Sequence, residues 1–359
     1  MASLKAVEEA MGIEINDYVK WRRELINSAL YIRDHALHLI VFVLPDLYNV
    51  DSILDFDETD PVQRSMIENL FALKAAGNNL ANFSGSRAVH APDLMLGGFG
   101  KAVDPSLVPG LKEELQKARP IAVQLVDLFA SVNFNLTRNN RFLAMRGEDH
   151  FDYILTRKLR THDGREFPDK HYRQHLQHVS IPYSHASGYQ FEGHDFMVGS
   201  LARVNINKDQ LHKNTLESCA TSLERFPSNN VFDNNLAQAI ETVDAIDYAL
   251  DLLDQNHDHT PPLQPTRESG DGIGLIEAPR GMLYHSAHVV DKIIDRYEVI
   301  VPTGQNQINI ENDLKLMLQN NLDKMDQKQL EHESEKVIRA YDPCMSCASH
   351  FLKVRWDIK

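Results

Sequence analysis

The chain has 359 residues, 43% hydrophobic and 25% charged, an ordinary globular composition that excludes a disordered or fibrous polypeptide. Thirty-seven Lys and Arg face 51 Asp and Glu, and the resulting net charge of −14 argues against binding to nucleic acid or an anionic membrane. No apolar run approaches the ~20 residues of a membrane span, and the first residues lack the tripartite pattern of a signal peptide, so we expect a cytoplasmic protein.

Ser3 is placed to cap a first helix that runs through Met11 and ends at Gly12. A long helical pattern follows from Asn16 to Leu44, with Val19, Leu25, Ile26, Leu30, Leu37 and Val41 on one face, and Pro45-Asp46 is read as its stop. A second long helix is predicted over Pro61–Phe83. The glycine-dense stretch from Gly85 to Gly100 then reads as irregular chain or short strands, and Pro105–Val132 as helix. Residues 133–203 are mixed and weakly periodic. Helices are expected again at Asp209–Glu224 and Asn234–Gln255. After the polar loop Asn256–Pro262 come strand-like runs at Met282–His285 and Tyr297–Val301, then helices at Asn309–Gln319 and Asp326–Arg339. The expected fold is mainly α, a large helical bundle with minor peripheral β-strands near residues 272–303.

Three cysteines are too few for a disulfide scaffold. Two of them lie in Asp342-Pro343-Cys344-Met345-Ser346-Cys347-Ala348-Ser349-His350. If Asp342 caps a helix with Pro343 in its first turn, Cys344 and Cys347 share a face and His350 lies one turn on. A helix N-terminus favours thiolate, and thiolates select nickel, zinc or iron over magnesium or calcium. A lone C-x-x-C also fits a redox dithiol, half a zinc site or two packed thiols. Cys219 stands in a helical context with no second ligand nearby and reads as a buried thiol. His171, His175, His178, His185 and His194 read as a solvated, loop-rich surface rather than a second metal site.

The ending Asp-Pro-Cys-x-x-Cys-x-x-His resembles that of the large subunit of nickel–iron hydrogenases, and the resemblance extends along the chain. Ser86-Arg87-Ala88-Val89-His90 with Gly97-Gly98-Phe99 is similar to the family's G-G-R-x-x-H-P…G-G-F stretch, with Ser86 for a glycine and Ala91 for a proline. Val198–Asn205 is similar to V-G-P-L-A-R-x-N, Glu277–Gly281 to E-A-P-R-G, and Val301-Pro302-Thr303 with Asn306 to V-P-T-x-x-N. The wording is closest to the cytoplasmic, multi-subunit members. The family's other cysteine pair lies in an R-x-C-G-x-C motif, and Ala2–Ile13 looks like the sequence that follows it. The resemblance therefore implies a single domain over residues 1–359, incomplete at its N-terminal side, with a metal-binding motif at 342–350. It leaves three possibilities: a second polypeptide supplies the missing half-site, the chain is a fragment, or the site is dead.

The resemblance also implies roles. Cys344 would be a terminal nickel thiolate and Cys347 a thiolate bridging nickel to an iron that carries CO and cyanide. His350 would bind a magnesium ion, with the Val299 carbonyl a further candidate. Arg280 would hang over the open metal position, held by Asp46 and Asp342, and Thr303 beside Pro302 would donate to a cyanide. The implied activity is heterolytic cleavage or formation of H2, with electrons passed to an iron–sulfur small subunit and on to an electron-acceptor subunit. The alternative is a non-catalytic scaffold of an electron-transfer complex with a degenerate metal site.

Overall fold

The structure is a computed structural model that describes residues 1–344 except 58, 149 and 184–186. It opens with α1 (Ala2–Ala10), α2 (Asp17–His38), a π turn (Leu39–Val43), α3 (Leu44–Tyr48) and α4 (Pro61–Gly85). The short strands β1 (Leu94–Met95) and β2 (Gly98–Phe99) precede α5 (Val108–Ala130). A mixed region follows: β3 (Leu143–Met145), β4 (Lys158–Thr161), β5 (Glu166–Pro168), α6 (Tyr172–His175), β6 (Leu176–Val179) and β7 (Gly188–Phe191). Next come α7 (Ser200–Asn207), α8 (Lys213–Ser218), α9 (Ala220–Leu223) and α10 (Asp233–Leu253). A hairpin sheet of β8 (Gly270–Ala278), β9 (Gly281–Val290) and β10 (Ile293–Ile300) leads to α11 (Pro302–Asn321) and α12 (Gln327–Ala340).

The fold is mainly α, as expected. α2 packs between α4 and α10, and α10 packs in turn on α5 and α7. Their apolar faces form the main core, with Leu25, Ile32, Leu39, Leu80, Ala122 and Ile240 among its buried members. A second cluster, including Leu159, Phe196, Leu275, Met282 and Ile300, joins the sheets.

Several boundaries differ from the sequence reading, each for a local reason. The first helix starts at Ala2 with Met1 at its cap, so Ser3 lies inside the first turn rather than at the N-cap. Pro45 does not stop the second pattern. The π turn Leu39–Val43 widens the ladder, so Pro45 enters α3 near its N-terminus, where a missing N–H is tolerated, and left-handed Asn49 ends the run. Asp209–Glu224 splits into α8 and α9 at Cys219. The strands around residues 270–300 are longer than predicted because glycine hid them. Gly270, Gly272 and Gly274 of β8 lie flat against the backbone of α1, where a Cβ at any of the three would collide with Ala10, Ala6 or Ala2.

Candidate metal centre

Four sequence motifs that lie far apart in the chain clamp one another around the β8–β9 turn. In the first, Arg203 of α7 is 1% exposed and donates to Glu241 at 2.6 and 2.8 Å and to Glu277 at 3.0 Å. It also donates to the Ala278 and Pro279 carbonyls at 3.0 and 2.9 Å, which fixes the backbone just before Arg280. Burial by itself opposes the Arg203 charge, but Glu241, Tyr31 and Glu277 outweigh it and hold the guanidinium firmly protonated. Burial likewise opposes the Glu241 charge, yet Arg203 and His35 hold its carboxyl down at about 2. The buried guanidinium is thus matched by carboxylates at hydrogen-bond distance, as a buried charge requires.

The other side of the turn is set by close backbone approach. Gly199, at φ 112°, lies against the Arg280 carbonyl, and Gly281, at φ 127°, leaves room for Val198. Asn306 of α11 brackets the Val198 backbone, accepting from its N–H at 2.9 Å and donating to its carbonyl at 3.0 Å. Glu277 accepts from the Met145 N–H at 2.8 Å.

The end of α12 is held as tightly. Asn234 donates to the Ala340 carbonyl at 2.9 Å, and the Tyr341 hydroxyl donates to Asp313 at 2.5 Å. Asp342 then adopts φ 50°, the left-handed turn that commonly follows a helix C-terminus. That geometry corrects the N-cap reading of Asp342. Its carboxylate accepts instead from Gln238 Nε2 at 3.0 Å and from Arg280 at 3.0–3.1 Å.

Arg280 is thereby placed. Its Nε also donates to the Asp342 carbonyl at 2.9 Å, and Nη1 lies 3.5 Å from Asp34. Burial disfavours its charge, but Asp342, Asp34 and Cys344 more than offset this, so the guanidinium stays protonated. The second expected carboxylate is corrected here. Asp46, which follows the π turn on α3, pairs with Arg339 of α12 at 2.7 and 2.9 Å, not with Arg280. Asp34, one residue past Arg33 on α2, takes the place assigned to Asp46.

Thr303 is buried in the first turn of α11, next to Pro302, and its Oγ1 accepts the Cys344 N–H at 3.1 Å. The hydroxyl proton is left to donate elsewhere. α11 is twenty residues long with no side-chain cap; Thr303 in its first turn meets Cys344, which in turn lies within electrostatic reach of Arg280. Val299 lies in β10 opposite His285 and is 44% exposed. Cys347 and His350 fall outside the described residues. Among those that are described, no three His, Cys, Asp or Glu side chains cluster to hold a metal. Cys219 is buried at the α8–α9 junction, where desolvation pushes its thiol up to about 12, so it does not offer a thiolate.

These donors suit a soft metal bearing anionic ligands: one thiol sulfur, a hydroxyl donor, a guanidinium fork and a helix N-terminus. The nickel-dependent hydrogenase family profile matches residues 148–350. The alpha subunit of sulfhydrogenase 1 from Pyrococcus furiosus is 32% identical over 360 residues, covering 99% of this chain and 83% of that protein. The chain belongs to the nickel-dependent hydrogenase family. As a large-subunit-type hydrogenase chain it is also 27% identical to the alpha subunit of Pyrococcus furiosus sulfhydrogenase 2, across 99% of this chain and 84% of that one. Its fold matches an NAD+-reducing [NiFe]-hydrogenase in the H2-reduced state, with TM-score 0.85, 20% identity, and 97% and 84% of the two chains covered. A [NiFeSe]-hydrogenase of Dm. baculatum matches with TM-score 0.65 and 18% identity over 97% and 86%. No described helix of this hydrogenase chain is long and apolar enough to cross a membrane.

Sequence reasoning missed Asp34, Gln238, Arg203, Glu241 and Arg339. The signal available was the density of charge in apolar helices. α10 carries Gln238, Glu241, Asp244 and Asp247 at buried positions, a pattern that a core helix does not need for packing.

Proposed function

We propose that this chain is the large subunit of a heteromeric, cytoplasmic nickel–iron hydrogenase that cleaves or forms H2 heterolytically. The observation that carries the reading is the convergence of Arg280, Thr303 and Cys344 on the N-terminus of α11. Cys344 and Cys347 would hold the nickel–iron centre, and His350 with the Val299 carbonyl a magnesium ion. In this reading the two remaining thiolates are those of an R-x-C-G-x-C motif carried by a separate chain or peptide, and Cys219, which is buried elsewhere, is not one of them. When bound, the centre supplies Lewis acidity toward H2, with CO and cyanide on its iron.

The chain's own residues set the environment. Thr303, its backbone fixed by Pro302, would offer its hydroxyl as a hydrogen-bond donor to a cyanide. Arg280 would present its planar fork to the open position as a preorganised donor. The Asp342 and Asp34 carboxylates stabilise the Arg280 cation, so Arg280 is a poor base and the Cys344 sulfur is the site that takes the proton. Electrons leave through iron–sulfur clusters of a small subunit, since this chain has no cysteines left to hold them, and pass to an acceptor subunit.

The test is metal analysis and hydrogen uptake on the complex purified with its partners. About one nickel per copy of this chain and H2-dependent reduction of an artificial acceptor are expected. A nickel-loaded complex with no uptake would instead support the scaffold reading.

A further inference from the structure

His38 closes α2 and is 3% exposed. Its Nδ1 lies 2.6 Å from Gln238 Oε1, and its Nε2 lies 2.9 Å from the Arg339 carbonyl oxygen. The Gln238 amide cannot be turned round. Its Nε2 donates to Asp342 Oδ2 at 3.0 Å, and the reverse orientation would set a carbonyl oxygen against a carboxylate. Both ring nitrogens of His38 therefore face acceptors that have no hydrogen to give. Each must carry its own N–H, which makes the ring an imidazolium.

The charges around it agree. Asp342 Oδ1 stands 3.8 Å from Nε2 and is shared with the Arg280 guanidinium, which holds it at 3.0–3.1 Å. From α12, the Arg339 guanidinium turns away to Asp46 and Glu335. From α10, Glu241 is taken up by Arg203 and His35. On α2 itself, Asp34 pairs with Arg33 and faces Arg280. His35, one turn earlier, shows the opposite pattern. Its Nε2 reaches Glu241 at 3.0 Å while Nδ1 has no hydrogen-bond partner, the arrangement of a neutral ring, and burial lowers its pKa.

We propose that His38 is held as an imidazolium and is the positioning residue of the Asp342–Arg280 pair. It locks the carboxylate through Gln238 and the last turn of α12 through the Arg339 carbonyl. The positioning role rests on the hydrogenase reading above; the protonation state does not. A neutral ring would set a lone pair against one of the two carbonyls and loosen either Gln238 or the end of α12. Asp342 would then turn, and the Arg280 fork would lose its aim.

Nitrogen NMR on the full chain labelled in histidine, at pH 7, tests the protonation state directly, with His38→Gln as the assignment control. Two protonated ring nitrogens are expected for His38; one nitrogen with a free lone pair overturns the proposal. In the assembled complex, His38→Gln keeps a donor for one acceptor only. It is expected to retain nickel and the KM for H2, to lose ~10-fold in turnover per nickel, and to shift the infrared cyanide bands. Unchanged turnover and bands overturn the positioning role. If that variant does not assemble, Gln238→Leu cuts the same link to Asp342 and must show the same loss. A nickel-free unmutated complex overturns the hydrogenase reading and with it the positioning role, while the NMR result still decides the imidazolium alone.

Discussion

Arg203 and Arg280 sit on either side of one turn and have opposite designs. Arg203 is enclosed, with Glu241, Glu277, Ser200 and two backbone carbonyls accepting from its guanidinium. Arg280 is 28% exposed on its side chain, grips Asp342 closely and reaches Asp34 only at 3.5 Å. An arginine whose donors are all answered inside the protein builds structure. One that is anchored on a single residue through Nε and Nη2, with Nη1 met only at 3.5 Å, keeps a donor available for something brought to it. The two are nonetheless coupled, because Arg203 holds the backbone from which Arg280 projects.

Substitutions should separate the two roles. Cys344→Ser gives the largest effect: nickel in the purified complex is expected to fall to background, measured by metal analysis. Full retention would remove the motif from the ligand set. Arg203→Met leaves Glu241 and Glu277 buried without their guanidinium, with only His35 and the Met145 N–H still facing them, and should cost about 3–5 kcal/mol of stability, read from denaturant unfolding of the chain. Arg280→Lys should leave stability and nickel intact and lower H2 oxidation per nickel by ~10²–10³, because the ammonium lacks the planar fork. If Arg280→Lys unfolds the chain instead, the contrast drawn above is wrong.

The smallest effect comes from pH. Desolvation, with Glu241 and Asp247 nearby, raises the Asp244 carboxyl to about 7. A carboxyl raised in the folded state stabilises fully below its unfolded pKa, and that contribution is lost as pH rises through about 7. Asp244→Asn keeps an oxygen for the His212 N–H, which now donates to Asp244 at 2.7 Å. The variant should therefore match the parent at low pH and exceed it by on the order of 1–3 kcal/mol at pH 8, measured as thermal or denaturant midpoints.

The helical frame was legible because α2, α4, α5 and α10 are long and periodic. The sheet was less so, since Gly270, Gly272 and Gly274 carry no side-chain alternation and are needed only where α1 lies across them. In the site, Arg280, Thr303 and Cys344 were reached through the resemblance of their motifs to the nickel–iron hydrogenase family, since spacing by itself left the C-x-x-C open to several readings. The partners were harder. Asp46 and Asp34 look equivalent along the chain, and only the tertiary packing of α2, α3 and α12 shows which carboxylate meets which arginine. His38 and Gln238 gave no signal because their meaning depends on a hydrogen-bond direction, set 104 residues away at Asp342.

The widened turn at Leu39–Val43 has a consequence for how this chain tolerates insertion and deletion. Each residue in a helix advances the next by about 100°, so one extra residue in a turn shifts the phase of everything that follows by nearly a third of a revolution. Removing one residue from Leu39–Val43 would give a more regular helix and a better ladder of backbone hydrogen bonds. It would also carry Asp46 off Arg339 and release the Arg339 side of α12, the helix that leads to Cys344. At this point in the fold, regularity and function are set against each other by a single amino acid.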